Sequence, residues 1–151
     1  MNHAFVTRNF TLGEFIVSDV AARMGIDNNP TASVEANLRN VLIPAMQSVR
    51  DLLGVPVLIK SGYRSLALNR ALRSKDTSQH VNGQAADFIA PAFGSPRRVA
   101  DVLVQNMARV RFDQLIWEGG WVHISFAPRR RNEVLTAHFT EMGVSYTQGL
   151  A

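Results

Sequence analysis

The order of patterns along the chain predicts an α+β domain, a small antiparallel sheet with flanking helices. Three observations carry this. Apolar residues recur at three-and-four spacing from Val34 to Leu53 and again from Val99 to Met107, the period of a helical face. Short apolar runs at 55–60, 85–89 and 114–126 are interspersed with those helices instead of grouped in one block. Between two alternating stretches, Gly119-Gly120 has the form of a two-residue hairpin turn.

Taken in order, Phe10, Leu12, Phe15 and Ile16 predict a short helix packed on the core. Asp27-Asn28-Asn29-Pro30 reads as a loop leading to a helix start, with Asn29 or Thr31 as the cap. The helix that follows carries Leu38, Val41, Leu42, Ala45, Met46, Val49, Leu52 and Leu53 on one face and stops at Gly54. Pro44 removes one of its backbone hydrogen bonds, so a kink or break is expected near Asn40. Val55 to Lys60 predicts a short buried strand, Ser61-Gly62 a turn, and Leu66 to Arg73 a further short helix. Ala85 to Ile89 is a strand with Asp87 inside it. Ser95-Pro96 opens a helix to about Arg109, and Val134 to Phe139 is a final strand. The tail from Gly143 carries no pattern that predicts an element.

A length of 151 residues fits one domain spanning 1–151. No apolar run approaches the ~18 residues that a membrane helix needs, so no membrane span is expected. Met1 to Phe10 lacks a basic stretch followed by an apolar one, and no secretory signal is read there. There is no cysteine, which removes disulfides and thiolate chemistry together. A net charge of +4 and a pI near 10.3 favour an anionic partner such as nucleic acid, phospholipid or a bacterial wall. Arg129-Arg130-Arg131 follows Pro128 without interleaved aromatics and reads as a solvated loop, so no nucleic-acid partner is expected. The expected state is a monomer.

Without cysteine, a zinc site must draw on His and Asp/Glu, and the chain has four histidines. The hairpin pattern narrows the choice. If Glu118 pairs with Trp121 across the turn, one face carries Gln114, Ile116, Glu118, Trp121, His123 and Ser125, while the other, with Leu115, Trp117, Val122, Ile124 and Phe126, is wholly apolar. The apolar face must be the core side. Glu118 and His123 then share the polar face, and a one-residue slip would separate them.

His80 lies before Gly83, which permits a left-handed turn ahead of the strand that presents Asp87. Together His80, Asp87 and His123 form a three-ligand set that leaves a fourth position to water, as a catalytic zinc requires. Glu118, not a ligand, is placed to take the water proton and pass it to a leaving amine. Each residue alone also has a structural reading. His80 can cap a turn, His123 can be a hydrogen-bonded sheet residue and Asp87 can pair with an arginine. Their coincidence favours a metal, because a strand Asp and an inward His both need partners. His3 and His138 have no carboxylate at a matching spacing and read as incidental. Arg64 is open to two readings, capture of a substrate carboxylate or oxyanion and a salt bridge with Asp76 or Asp87. Trp121 is either a substrate-holding wall or packing.

Ser78-x-His80-x-x-Gly83-x-Ala85-x-Asp87 resembles the signature of the zinc D-Ala-D-Ala carboxypeptidase family, the M15-type peptidases that include many phage endolysins. Ser61-Gly62-Tyr63-Arg64-Ser65 upstream and Glu118 with Trp121-Val122-His123 downstream keep the family's order. Phe10-Thr11-Leu12-x-Glu14-Phe15 is similar to the start of phage and prophage members. The resemblance implies a fold shared with the Hedgehog signalling domain and the D,D-peptidases. It implies zinc held by His80, Asp87 and His123, Glu118 as general base, Arg64 binding or polarising substrate, and Ser78 supporting the site or substrate by hydrogen bonding. One departure stands out: several branches place the acidic residue three positions before the last histidine, where this chain has Gly120, whereas Glu118 lies five before. Asp113 is the fallback base.

The implied activity is zinc-dependent hydrolysis of an amide bond in the peptide stems of bacterial peptidoglycan, in the manner of a D-Ala-D-Ala carboxypeptidase. The alternatives are an endopeptidase that cuts L-Ala-D-Glu or a cross-link, and a non-catalytic zinc-containing binding module. The phage likeness implies synthesis in a host cytoplasm and action on the wall after holin-type release, or from within a virion.

Overall fold

The structure, a computed structural model, describes residues 3–151. Phe10 and Phe15 are buried in edge-to-face contact, but the segment holding them forms only a 3-10 turn, Gly13–Phe15, in place of the expected helix. Helix α1 (Asp19–Met24) follows, capped by the Ser18 hydroxyl and closed by a left-handed Gly25. It is too short for its periodicity to be read from sequence.

Thr31 caps α2 (Ala32–Asn37), which runs through a π turn, Leu38–Leu42, into α3 (Ile43–Leu53). The break expected from Pro44 takes this form. Pro44 has no N–H for the Asn40 carbonyl, and the widened turn, in which the Ile43 N–H reaches back to Leu38, carries the helix past the gap. Leu38, Leu42, Ile43, Met46 and Val49 are fully buried, so the apolar face survives the irregularity. Gly54 ends α3 in the left-handed conformation.

Strand β1 (Leu58–Ser61) is not the buried strand expected: it forms one edge of the sheet and its residues are exposed or half-buried. α4 (Leu66–Ala71), β2 (Ala85–Ile89), α5 (Pro96–Gln105) and a single turn α6 (Met107–Val110) follow, then the hairpin of β3 (Gln114–Trp117) and β4 (Val122–Ser125). β5 (Glu133–Thr140) extends the expected last strand, and β6 (Gly143–Gln148) occupies the tail that showed no pattern.

The sheet has six strands in the order β1-β2-β4-β3-β5-β6. All neighbours are antiparallel except β3 and β5. That pair is parallel because two reversals separate its members: the chain turns back along β4 and then returns on the free side of β3. Ala86, Phe88, Leu115, Val122 and Ile124 face the helices and build the core with Met46, Val49, Val99 and Leu103. The opposite face carries one row running through Ser61, Asp87, His123, Ile116, Leu135 and Gln148. Both the register and the polar face expected of the hairpin are present: Trp117 pairs with Val122, Ile116 with His123, and the Glu118 N–H donates to the Trp121 carbonyl at 3.0 Å.

Candidate metal centre

His80 is held by a short 3-10 turn, Gln79–Asn82, that Ser78 caps through its hydroxyl and left-handed Gly83 closes. A Cβ on Gly83 would lie 2.9 Å from Val34 Cγ1, so packing and backbone conformation both call for glycine. The imidazole is buried, and its Nδ1 lies 2.7 Å from the Gly62 carbonyl. A carbonyl only accepts, so Nδ1 carries the proton and Nε2 offers its lone pair. Gly62 can take this position because the Phe15 backbone crosses where a side chain would be, 2.5 Å from a notional Cβ.

Asp87 faces His123 across β2 and β4. Its Oδ1 lies 3.2 Å from His80 Nε2 and 2.9 Å from His123 Nδ1, and its Oδ2 accepts from Arg64 Nη2 at 3.1 Å. The three donor atoms of His80, Asp87 and His123 lie within 4.8 Å of one another, and they make the one such cluster of His, Asp or Glu among the described residues.

The donor chemistry calls for a cation. Burial holds the His80 imidazole below its usual range, against the pull of Asp87, and so keeps it neutral. Burial would raise the Asp87 carboxyl, and only protonated imidazoles at His80 and His123 would hold it far below the ordinary carboxylate range. The two demands conflict, since a neutral His80 aims a lone pair at an ionised oxygen 3.2 Å away. Positive charge among the three atoms resolves the conflict, and two imidazoles with one carboxylate are a set zinc accepts. The residues fit the ion.

The polar groups that support this centre are Arg64, Ser78, Asn28 and Asp113. Besides Asp87, Arg64 donates from Nε to Ser61 Oγ at 3.0 Å and from Nη1 to Asn69 Oδ1 at 3.4 Å, while its backbone N–H reaches the His80 carbonyl at 3.1 Å. Of the two readings left open for Arg64, the Asp87 ion pair is built; Asp76 pairs with Arg70. Ser78 caps the His80 turn, its hydroxyl accepting from the His80 N–H at 3.3 Å. Buried Asn28 ties the arginine loop down, donating to the Ile16 and Tyr63 carbonyls and accepting from the Ser65 N–H. Nothing in the sequence distinguished Asn28 from its loop neighbours. Asp113, the fallback base, is fully buried and occupied: Arg131 approaches both its oxygens and Gln79 donates to Oδ2 at 2.8 Å. It braces the His80 turn from behind.

Glu118 is half-buried on the same face as His123, and its carboxylate accepts from the Trp121 indole N–H. Burial, then the Asp87 charge, pushes its carboxyl above the usual glutamate range. Trp121 thus orients Glu118, and its ring lies 6.3 Å from that of Phe139 on β5. His138 bonds to Thr147 on the hairpin, away from the cluster.

The family model for peptidase M15 matches residues 8–125, most of the chain and every residue of this centre. The chain belongs to the M15 peptidases. This M15 peptidase is a zinc metallopeptidase, and His80, Asp87 and His123 are the residues that would hold its ion. The match is broader than the D-Ala-D-Ala carboxypeptidases that the motif resembles. Among solved structures the chain is similar to the Serratia marcescens L-Ala D-Glu endopeptidase ChiX, with 26% identity, a TM-score of 0.43, and coverage of 66% of this chain and 90% of that one. No curated protein matches.

Proposed function

We propose that this M15 peptidase hydrolyses an amide bond within the peptide stem of bacterial peptidoglycan, with the L-Ala-D-Glu bond placed ahead of the terminal D-Ala-D-Ala bond. The observation that carries the hydrolytic reading is Glu118, ionisable and aimed by Trp121, on the same sheet face as the His80, Asp87 and His123 cluster. Zinc, when bound, supplies Lewis-acid polarisation of a carbonyl and acidifies a water. Glu118 takes the proton as the water oxygen bonds to the carbonyl carbon, and returns it to the amine nitrogen as the C–N bond breaks.

The preference for an internal bond rests on Arg64. A carboxypeptidase must receive a free C-terminal carboxylate, and a bidentate arginine is the usual means. Arg64 is nearly buried, and each of its guanidinium nitrogens has a partner within the chain. Its reading here is a positioning one: it holds Asp87 Oδ2 and so leaves Oδ1 turned to His80 and His123, the residues that would hold the ion with it. A positive chain suits a polyanionic wall. Release by a holin-type pore, or carriage in a virion, is proposed as its route to that wall.

Digestion of purified peptidoglycan by the zinc-loaded protein, with the new termini identified by mass, tests the reading. New D-Glu amino termini are expected, whereas release of D-Ala would favour the carboxypeptidase. Glu118→Ala is expected to retain zinc and lose roughly a hundredfold or more in kcat, the usual range for a general base. Lysis at the wild-type rate by that variant would remove Glu118 from its role. A wild-type protein that is full of zinc and cuts nothing would be the non-catalytic binding module.

A further inference from the structure

The hairpin of β5 and β6 lies beyond the residues that match the family, yet it extends the sheet face that bears the metal centre. Register fixes which side chains it adds. Leu135 and Gln148 continue the His123 row, so Ala137, Phe139, Val144 and Tyr146 project on that same face. Phe139, Val144 and Tyr146 are exposed at 59%, 46% and 47%, neighbours on one face of one hairpin. They join the centre through Trp121, whose ring is 6.3 Å from Phe139 and whose N–H holds Glu118. The Tyr146 phenol is pushed above its usual range by burial and then by the charges of Glu118 and Asp87.

Resting on the peptidoglycan reading above, we infer that Trp121, Phe139 and Tyr146 form an aromatic shelf that seats the sugar ring from which the scissile peptide stem hangs. Two arguments select a sugar. Trp121 stands two residues before His123, ~7 Å at ordinary strand rise, and the Phe139 ring lies a further 6.3 Å from that of Trp121, so the shelf begins at ~7 Å from His123 and reaches to ~13 Å. With L-Ala next to the cut bond, the sugar follows after that residue and one lactyl unit, which spans roughly 10 Å with the ring included. Aromatic faces are electron-rich and attract the polarised C–H bonds of a pyranose face, for which a shelf of two or three rings is suited and a single alanine methyl is too small. The Tyr146 hydroxyl adds a polar group for the sugar's own hydroxyl or acetamido substituents.

The test compares two soluble substrates of the zinc-loaded protein, a free stem peptide beginning L-Ala-D-Glu and the same peptide carrying N-acetylmuramic acid. The sugar is expected to lower KM about fivefold to tenfold, the worth of one or two stacking contacts, with kcat shared. Phe139→Ala is expected to bring the ratio of the two kcat/KM values to within about twofold of unity. A wild-type ratio already at unity, or a variant that scales both substrates equally, overturns the shelf. A second measurement is independent of cleavage: titration of a wall disaccharide, followed by the Trp121 indole N–H signal in an NMR spectrum. A shift that Phe139→Ala abolishes, in a protein that cuts neither peptide, keeps the shelf and removes the cleavage reading. No shift, together with sugar-blind cleavage, does the reverse. A wild-type dimer in sedimentation that Phe139→Ala converts to monomer would assign the face to a second copy of the chain and overturn the proposal.

Discussion

The metal centre and the β5–β6 hairpin occupy one face of one sheet and are built on opposite terms. At the centre, His80, Asp87 and Arg64 are buried or nearly so, and each polar atom answers to a named partner, down to Asn28 and Asn69 behind the arginine loop. Every residue of β6 is exposed, and its edge leaves backbone groups free. A buried polar group that loses its partner costs about 1–3 kcal/mol, while an exposed one exchanges the partner for water. Chemistry that must hold its geometry therefore sits in the first region. Selection among substrates can vary in the second without disturbing the ion.

If that contrast is right, its largest expression is at Arg64. Arg64→Met should leave Asp87 buried with one oxygen unpaired and free to turn, and zinc affinity should fall about 10–100-fold, as when a ligand loses the group that orients it. Competition with a chelator measures this. An unchanged affinity would mean that the ion pair does not position Asp87, and would return Arg64 to a substrate role.

An effect of comparable size, on folding instead of on the ion, is expected at Asp113. Burial alone would raise its carboxyl, but hydrogen bonds from the Arg131 side chain and backbone and from Gln79 hold it well below the usual range. Its folded pKa thus lies below the unfolded value of about 4. The stabilisation is fully present above that pH and is lost as pH falls toward the folded value, because the unfolded chain takes up the proton first. Asp113→Asn should therefore lower stability near neutral pH by roughly 2–3 kcal/mol, at the lower end for a broken buried pair because Arg131 is about a third exposed. Its denaturation midpoint should also change less between pH 6 and pH 3 than that of the wild type. A parallel decline in both proteins would show that Asp113 is not the group concerned.

The smallest effect belongs to the hairpin. Val144→Thr, a half-exposed edge position with no polar partner to lose, should alter stability by no more than about 0.5 kcal/mol. A loss of several kcal/mol in chemical denaturation would show that β6 is held by packing, and the contrast between the two regions would fail.

Much of this molecule was legible as pattern. The long helical face from Val34, the stop at Gly54 and the hairpin register around Gly119-Gly120 depend on local periodicity and turn chemistry, and these elements stand where they were expected. The ligand set was legible too, since a chain with four histidines and no cysteine leaves few ways to build such a centre. Elements with weak local signal were misjudged or missed. The six-residue helix α1 is too short to show a period, β1 was read as buried although it lies at the edge, and β6 has no buried face to produce an alternating pattern.

Sequence alone determined the fold class and the face shared by Glu118 and His123, which follow from spacing along the chain, and the three candidate ligands, which follow from how few donors the chain has and from the motif around them. Tertiary structure alone decided that Arg64 holds Asp87, that Asn28 anchors the arginine loop, that Asp113 is spent on Arg131 and Gln79, and that a terminal hairpin comes beside Trp121. Those pairings join residues roughly 18 to 37 positions apart, and side-chain periodicity carries no information across such gaps. Burial imposes them: a charge or amide placed in the interior must find its partner there, and only the packed chain determines which partner is within reach.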